Sequence, residues 1–107
     1  MAQKTSTRKT VRKDTEIAVV RDSFIVKNEK GLHTRPSTEL VKCAASFNSR
    51  VNLFYREYIV NAKSLLGILM LAANKGSRIT VEAEGTDAEQ AVDSILELAR
   101  NKFHIKY

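Results

Sequence analysis

Apolar and polar positions along this chain follow two periods, and the switches between them mark its elements. Ser23–Lys27 (SFIVK) carries β-branched and aromatic residues in the manner of a strand. The cluster Asn28-Glu29-Lys30-Gly31 is a turn. Beyond it, Leu40, Val41, Ala44 and Phe47 recur at helical spacing. Pro36 fits the first turn of that helix, where its missing N–H costs nothing. Asn48–Arg50 closes the helix, and Val51, Leu53 and Tyr55 then alternate with Asn52 and Phe54, the period of a strand. Arg56 and Glu57 form a tight turn into a partner strand that begins at Tyr58–Asn61, so 51–61 reads as a hairpin. Ser64 is placed to cap a helix over 65–73, which Asn74-Lys75-Gly76 stops. Arg78–Glu84 alternates, with Ile79, Val81 and Ala83 on one side. Thr86-Asp87-Ala88-Glu89 has the form of a capping box, and Ala88, Ala91, Val92, Ile95 and Ala99 make the apolar stripe of a last helix. The predicted order is βαββαβα, an α+β fold. Its four-stranded sheet, antiparallel or mixed, has three helices on one face.

With 107 residues the chain has length for one domain. The longest apolar run, LLGILMLAA at 65–73, falls short of the roughly 20 residues that cross a bilayer as a helix. The single Cys43 cannot make an internal disulfide and fits a reducing, cytoplasmic compartment. Cys43, His33 and His104 are too few soft ligands for a structural zinc site, and no glycine-rich nucleotide loop is present. No metal or cofactor is therefore expected. The formal charge of +6 is unevenly spread. Lys4, Arg8, Lys9, Arg12 and Lys13 supply +5 within the first 13 residues, which hold no acid. Residues 1–19 are accordingly predicted to be a basic, disordered extension, and residues 20–107 the folded domain. A basic arm invites a nucleic-acid reading, with affinity that falls steeply with salt. Against it, only 7% of residues are aromatic and the sheet lacks a basic face with interleaved rings.

The chemistry lies in GLHTRPS, residues 31–37. This segment puts His33 at the mouth of a helix and Arg35 in its first turn. The first N–H groups of a helix have no intrahelical acceptor and together carry about half a positive charge. An anion held there is stabilised without further machinery. A neutral imidazole is available near neutral pH. Its ring nitrogen is a good nucleophile and, once phosphorylated, a good leaving group. His33 can thus carry a phosphoryl group over those donors, and Arg35 can add a charge-assisted, bidentate pair to its oxygens. Gly31 permits a backbone turn closed to other residues.

GLHTRPS at 31–37, VNAKSLLGILML at 60–71, KGSRITVEAEG at 75–85 and the element order together resemble the HPr phosphocarrier proteins of the bacterial phosphoenolpyruvate-dependent sugar phosphotransferase system. The resemblance covers about residues 20–103, with Thr34 where the family often has alanine. It implies an open-faced β-sandwich of four antiparallel strands under three helices. It implies that His33 accepts phosphoryl at Nδ1 from enzyme I and passes it to IIA domains of sugar permeases, with Arg35 stabilising the group. The protein would then be a phosphocarrier that needs partner enzymes, not a turnover catalyst. In family members of the Gram-positive type the serine in the position of Ser64 is phosphorylated by an HPr kinase/phosphorylase. The helix at 65–73 is apolar nearly all round, so part of it must meet solvent or a partner. Ile68 and Leu71 are expected inward, and Leu66 and Leu69 outward. The resemblance makes Leu65, Leu66 and Leu69, with Lys42 on the first helix as a charged rim, the docking patch for enzyme I and IIA. Two other readings remain: a regulatory HPr-like adaptor of an incomplete or nitrogen-type system, and a small basic nucleic-acid-binding protein.

Overall fold

Alternation along the strands builds one sheet with a single apolar face. The computed structural model describes residues 8–12 and 17–107. Its elements are β1 (Lys9–Arg12), β2 (Ala18–Ile25), α1 (Thr34–Ala45), β3 (Arg50–Tyr55), β4 (Tyr58–Asn61), α2 (Leu65–Leu71), β5 (Arg78–Gly85) and α3 (Ala88–Arg100), followed by a 3-10 turn at Lys102–His104. The sheet order is β1-β2-β5-β3-β4 and every pairing is antiparallel. Phe24 lies opposite Ile79, Val20 opposite Ala83, and Leu53 opposite Val81. These side chains share one face and all are buried. Helix α3 covers that face with Ala88, Ala91, Val92, Ile95, Leu98 and Ala99. Helix α1 adds Leu40 and Ala44 and packs on both α3 and α2. Each fully buried Leu, Ile or Phe contributes about 1.5–3 kcal/mol. The result is the expected α+β open-faced sandwich with three helices, enlarged by one strand.

That extra strand, β1, falls in the segment expected to be disordered. Thr10 and Val11 are β-branched and suit an edge strand, and Lys9 and Arg12 stay exposed, as edge charges do. Its register pairs Lys9 with Arg21 and Arg12 with Ala18. Arg8 anchors it through Nε to the Asp22 carboxylate at 3.0 Å, and through its other nitrogens to Asp93 at 2.6 Å and Glu89 at 3.6 Å. Residues 1–7 and 13–16 of the expected extension lie outside the described residues. The same contact explains why β2 begins at Ala18 and not at Ser23. Asp22 occupies an inward position of β2 and is buried, which hides the strand from a search for alternating apolar residues. Its carboxylate is satisfied by Arg8 and by the Ser23 N–H at 2.7 Å.

Two helix ends also differ from expectation. Helix α2 stops at Leu71, not at residue 73, because Ala72 turns left-handed (φ +50°) and places the buried Ala73 against the loop before α1. The Thr86–Glu89 capping box does not form: Asp87 is the N-cap of α3 and its side chain makes no cap bond. Its carboxylate instead accepts the N–H groups of Asn48 and Ser49, both at 2.9 Å, and the Ser49 hydroxyl. This ties the start of α3 to the α1–β3 turn.

Candidate functional site

The loop from Asn28 to His33 is fixed by main-chain contacts. The Gly31 N–H donates to Asn28 O, and the Leu32 N–H donates to Ala73 O, each at 2.9 Å. Gly31 has φ +71°, and a Cβ there would lie 2.3 Å from Ala73 O, so only glycine fits. Leu32 is buried, and the buried Ser37 hydroxyl donates to its carbonyl at 3.0 Å. The His33 carbonyl accepts the Ser37 N–H at 3.0 Å, which closes the first turn of α1.

His33 is the N-cap of α1, in extended backbone, and its side chain makes no capping bond. The half-buried ring keeps Nε2 covered and without a hydrogen-bond partner. Nδ1, the other ring nitrogen, is not among the covered, unpartnered atoms. Thr34 and Arg35, at the head of the helix, have N–H groups with no intrahelical acceptor, and Pro36 has none to offer. No acidic residue occupies that first turn. The helix end and the Arg35 guanidinium each contribute positive charge there. Arg35 is exposed, and its Nη1 donates to the Tyr107 hydroxyl at 3.2 Å. The structure thus brings His33 and Arg35 together at one helix end.

The other candidates lie on neighbouring surface. Ser64 is the N-cap of α2, and its Oγ accepts the Gly67 N–H at 3.0 Å. Seven residues of helix, about 10 Å, separate it from the α2 end that meets the His33 loop. Ile68 and Leu71 are buried. Leu66 is 69% exposed and Leu65 37%, whereas Leu69 is half-buried and Met70, not singled out by the sequence, is 69% exposed. Lys42 on α1 is exposed and pairs with Glu39 at 3.4 Å. Cys43 is half-buried beside the core, and burial pushes its thiol pKa up, away from reactivity. A concavity runs along α3, lined by Asp22, Glu39, Lys42, Asp93, Glu97 and Arg100 among others; neither His33 nor Arg35 lines it. An open surface suits contact with macromolecules better than capture of a small molecule. Among the described residues no group of three or more His, Cys, Asp or Glu is placed to hold a metal ion, and no helix is long and apolar enough to cross a membrane.

Known proteins match this arrangement across most of the chain. The family described as the PTS HPr component phosphorylation site matches residues 20–101. The phosphocarrier protein HPr of Cupriavidus necator is 42% identical over 83 residues, 78% of this chain and 92% of that protein. The crystal structure of HPr-C-His from Thermoanaerobacter tengcongensis superposes with a TM-score of 0.77 at 33% identity, covering 81% of this chain and 98% of that one. HPr from Bacillus anthracis does so with a TM-score of 0.71 at 35% identity, covering 74% and 94%. With the fold, the histidine-headed helix and these matches in agreement, this chain belongs to the HPr family, the phosphocarrier proteins of the phosphotransferase system.

Proposed function

We propose that the chain accepts a phosphoryl group on His33 from enzyme I and delivers it to IIA domains of sugar permeases. The Nδ1 lone pair forms the N–P bond as the bond between phosphorus and the donor's leaving atom breaks, and that electron pair stays with the donor. In the second exchange the same N–P bond breaks and the imidazole is the leaving group. The phosphoryl oxygens lie toward the free N–H groups of Thr34 and Arg35, and the Arg35 guanidinium pairs with them. One observation carries this reading: His33 heads α1 with no side-chain capping bond, and only its Nε2 is covered. Under this reading Nδ1 is the nitrogen that reacts. The exchanges run in the cytoplasm, the compartment that the lone Cys43 fits.

Docking falls to the exposed apolar side of α2, Leu65 and Leu66 with the edge of Leu69, and to Lys42 on the adjoining α1. Met70 extends that surface. Ser64, at the far end of α2, is the regulatory position. A phosphate there adds about −2 charge beside the docking surface and slows acceptance at His33. Acceptance at an unchanged rate after an HPr kinase/phosphorylase had modified Ser64 would remove that role. Of the arm's basic residues, Arg8 is engaged by Asp22, Asp93 and Glu89, while Lys9 and Arg12 are exposed.

Incubation with phosphoenolpyruvate and enzyme I tests the carrier reading. The wild type should take up acid-labile, base-stable label, and His33→Ala should take up none. Label on both proteins, or on neither, would refute it.

A further inference from the structure

Residues 101–107 are aimed at the acceptor site. Lys102, Phe103 and His104 all have left-handed backbones (φ +54°, +55° and +65°), a costly run for residues other than glycine. Phe103 is fully buried, edge-on to Phe24 at 5.9 Å, and its burial offsets that cost. The turn sends the chain back over the loop before α1. There the fully buried Asn28 holds it, with Nδ2 donating to Lys102 O at 2.9 Å and to the main-chain oxygen of Tyr107 at 3.1 Å. Lys30 Nζ stands 5.4 Å above the Tyr107 ring, within cation–π range. The ring is thereby oriented so that its hydroxyl accepts from Arg35 Nη1 at 3.2 Å. All of 102–107 lies beyond residue 101, where the family match stops.

We propose that Tyr107 is a positioning residue for Arg35. Its hydroxyl holds the guanidinium while His33 is unmodified and releases it when a phosphoryl group arrives. Arg35 is an exposed, long side chain with many rotamers, and one oriented hydroxyl narrows them. A phosphoryl dianion is a far stronger acceptor than a neutral phenol, so the phosphorylated site takes Arg35 away from Tyr107. The Tyr107 bond therefore stabilises the unmodified state alone. It makes the phosphorylated state easier to discharge. This inference rests on the reading of His33 as acceptor.

The test is the equilibrium of phosphoryl exchange between enzyme I, charged by phosphoenolpyruvate, and this chain. Tyr107→Phe keeps the ring under Lys30 and the main-chain bond to Asn28, and removes only the hydroxyl. It should shift the equilibrium toward the phosphorylated chain by roughly two- to fivefold, the worth of one partly exposed hydrogen bond. The shift should vanish in an Arg35→Ala background. The Arg35 guanidinium resonances should move on phosphorylation of the wild type and already be displaced in unmodified Tyr107→Phe. An equal equilibrium for wild type and Tyr107→Phe, or the same shift without Arg35, overturns the proposal while leaving the carrier reading standing. A wild type that takes up no label removes the carrier reading and this inference with it.

Discussion

Replacing Gly31 with alanine should be among the most damaging small changes in the chain, and Gly76 supplies its control. Both glycines have positive φ, +71° and +92°. A Cβ at Gly76 meets nothing within 4 Å, while a Cβ at Gly31 would sit 2.3 Å from Ala73 O. The backbone penalty for a side-chained residue at positive φ is about 1–2 kcal/mol and applies to both. Only Gly31→Ala adds the collision. Relieving it needs a main-chain shift of about 1 Å, and overpacking of that kind costs about 1–3 kcal/mol. The shift also breaks the 2.9 Å bond from Leu32 N to Ala73 O, worth about 1 kcal/mol. Gly31→Ala should therefore lose about 3–6 kcal/mol and Gly76→Ala about 1–2. At about 0.1 kcal/mol per residue the whole domain has on the order of 10 kcal/mol. The Gly31 variant should still fold, with a urea midpoint lowered by about 2–4 M for m of about 1.5 kcal/mol/M. Equal midpoints for the two variants would show that the close approach of loop and α2 is absent, and the account of the site loop would go with it.

Two further outcomes follow from the same structure. Leu66→Lys should leave the unfolding free energy within about 0.5 kcal/mol of wild type and slow phosphoryl exchange with enzyme I, whereas Ile68→Ala should cost about 2–5 kcal/mol; a destabilised Leu66→Lys with normal exchange would move Leu66 from the docking surface into the core. The Asp87 carboxylate is held below the usual carboxylate range, first by the Ser49 hydroxyl and then by the Asn48 and Ser49 N–H groups. A depressed folded-state value means that the stabilisation is complete above about pH 4 and is lost as pH falls through the folded value. The stability gap between wild type and Asp87→Asn, measured by urea unfolding, should be largest near pH 7 and close in acid; a gap independent of pH would count against the charge.

What the sequence revealed was local, and what it hid was distant. Ile79, Val81 and Ala83 announce β5 because alternation is written into consecutive residues, and all are buried. His33 and Arg35 are legible because a helix start, its proline and its glycine turn lie within seven residues, 31–37. Asp22 shows the limit. An acid at an inward strand position looks like the end of a strand until its partner Arg8, 14 residues away, is in place. Asp87 behaves likewise: the pattern offers it as part of a cap, yet its carboxylate serves Asn48 and Ser49, some 38 residues earlier. Helix α2 is apolar nearly all round, so periodicity could not fix its phase. Leu69, expected outward, is half-buried, and Met70, given no side by the pattern, is exposed. Tyr107 gives no local signal, since its partner Arg35 lies 72 residues away.

The early end of α2 bears on how His33 would be presented to a partner under the carrier reading. Had the helix continued through residue 73, the Ala73 carbonyl would point along the helix axis. The left-handed Ala72 breaks the helix and turns that carbonyl toward the site loop. One main-chain hydrogen bond and one glycine contact thus join α2 to the residue next to His33. Under the carrier reading, a partner that docks on the apolar side of α2 meets the acceptor loop at a fixed distance. Near-attack geometry for phosphoryl transfer tolerates little displacement of the reacting atoms. A rigid link between docking surface and nucleophile meets that demand and leaves the imidazole open, since it must face first a donor and then an acceptor. On this argument the glycine turn serves the reaction as well as the fold.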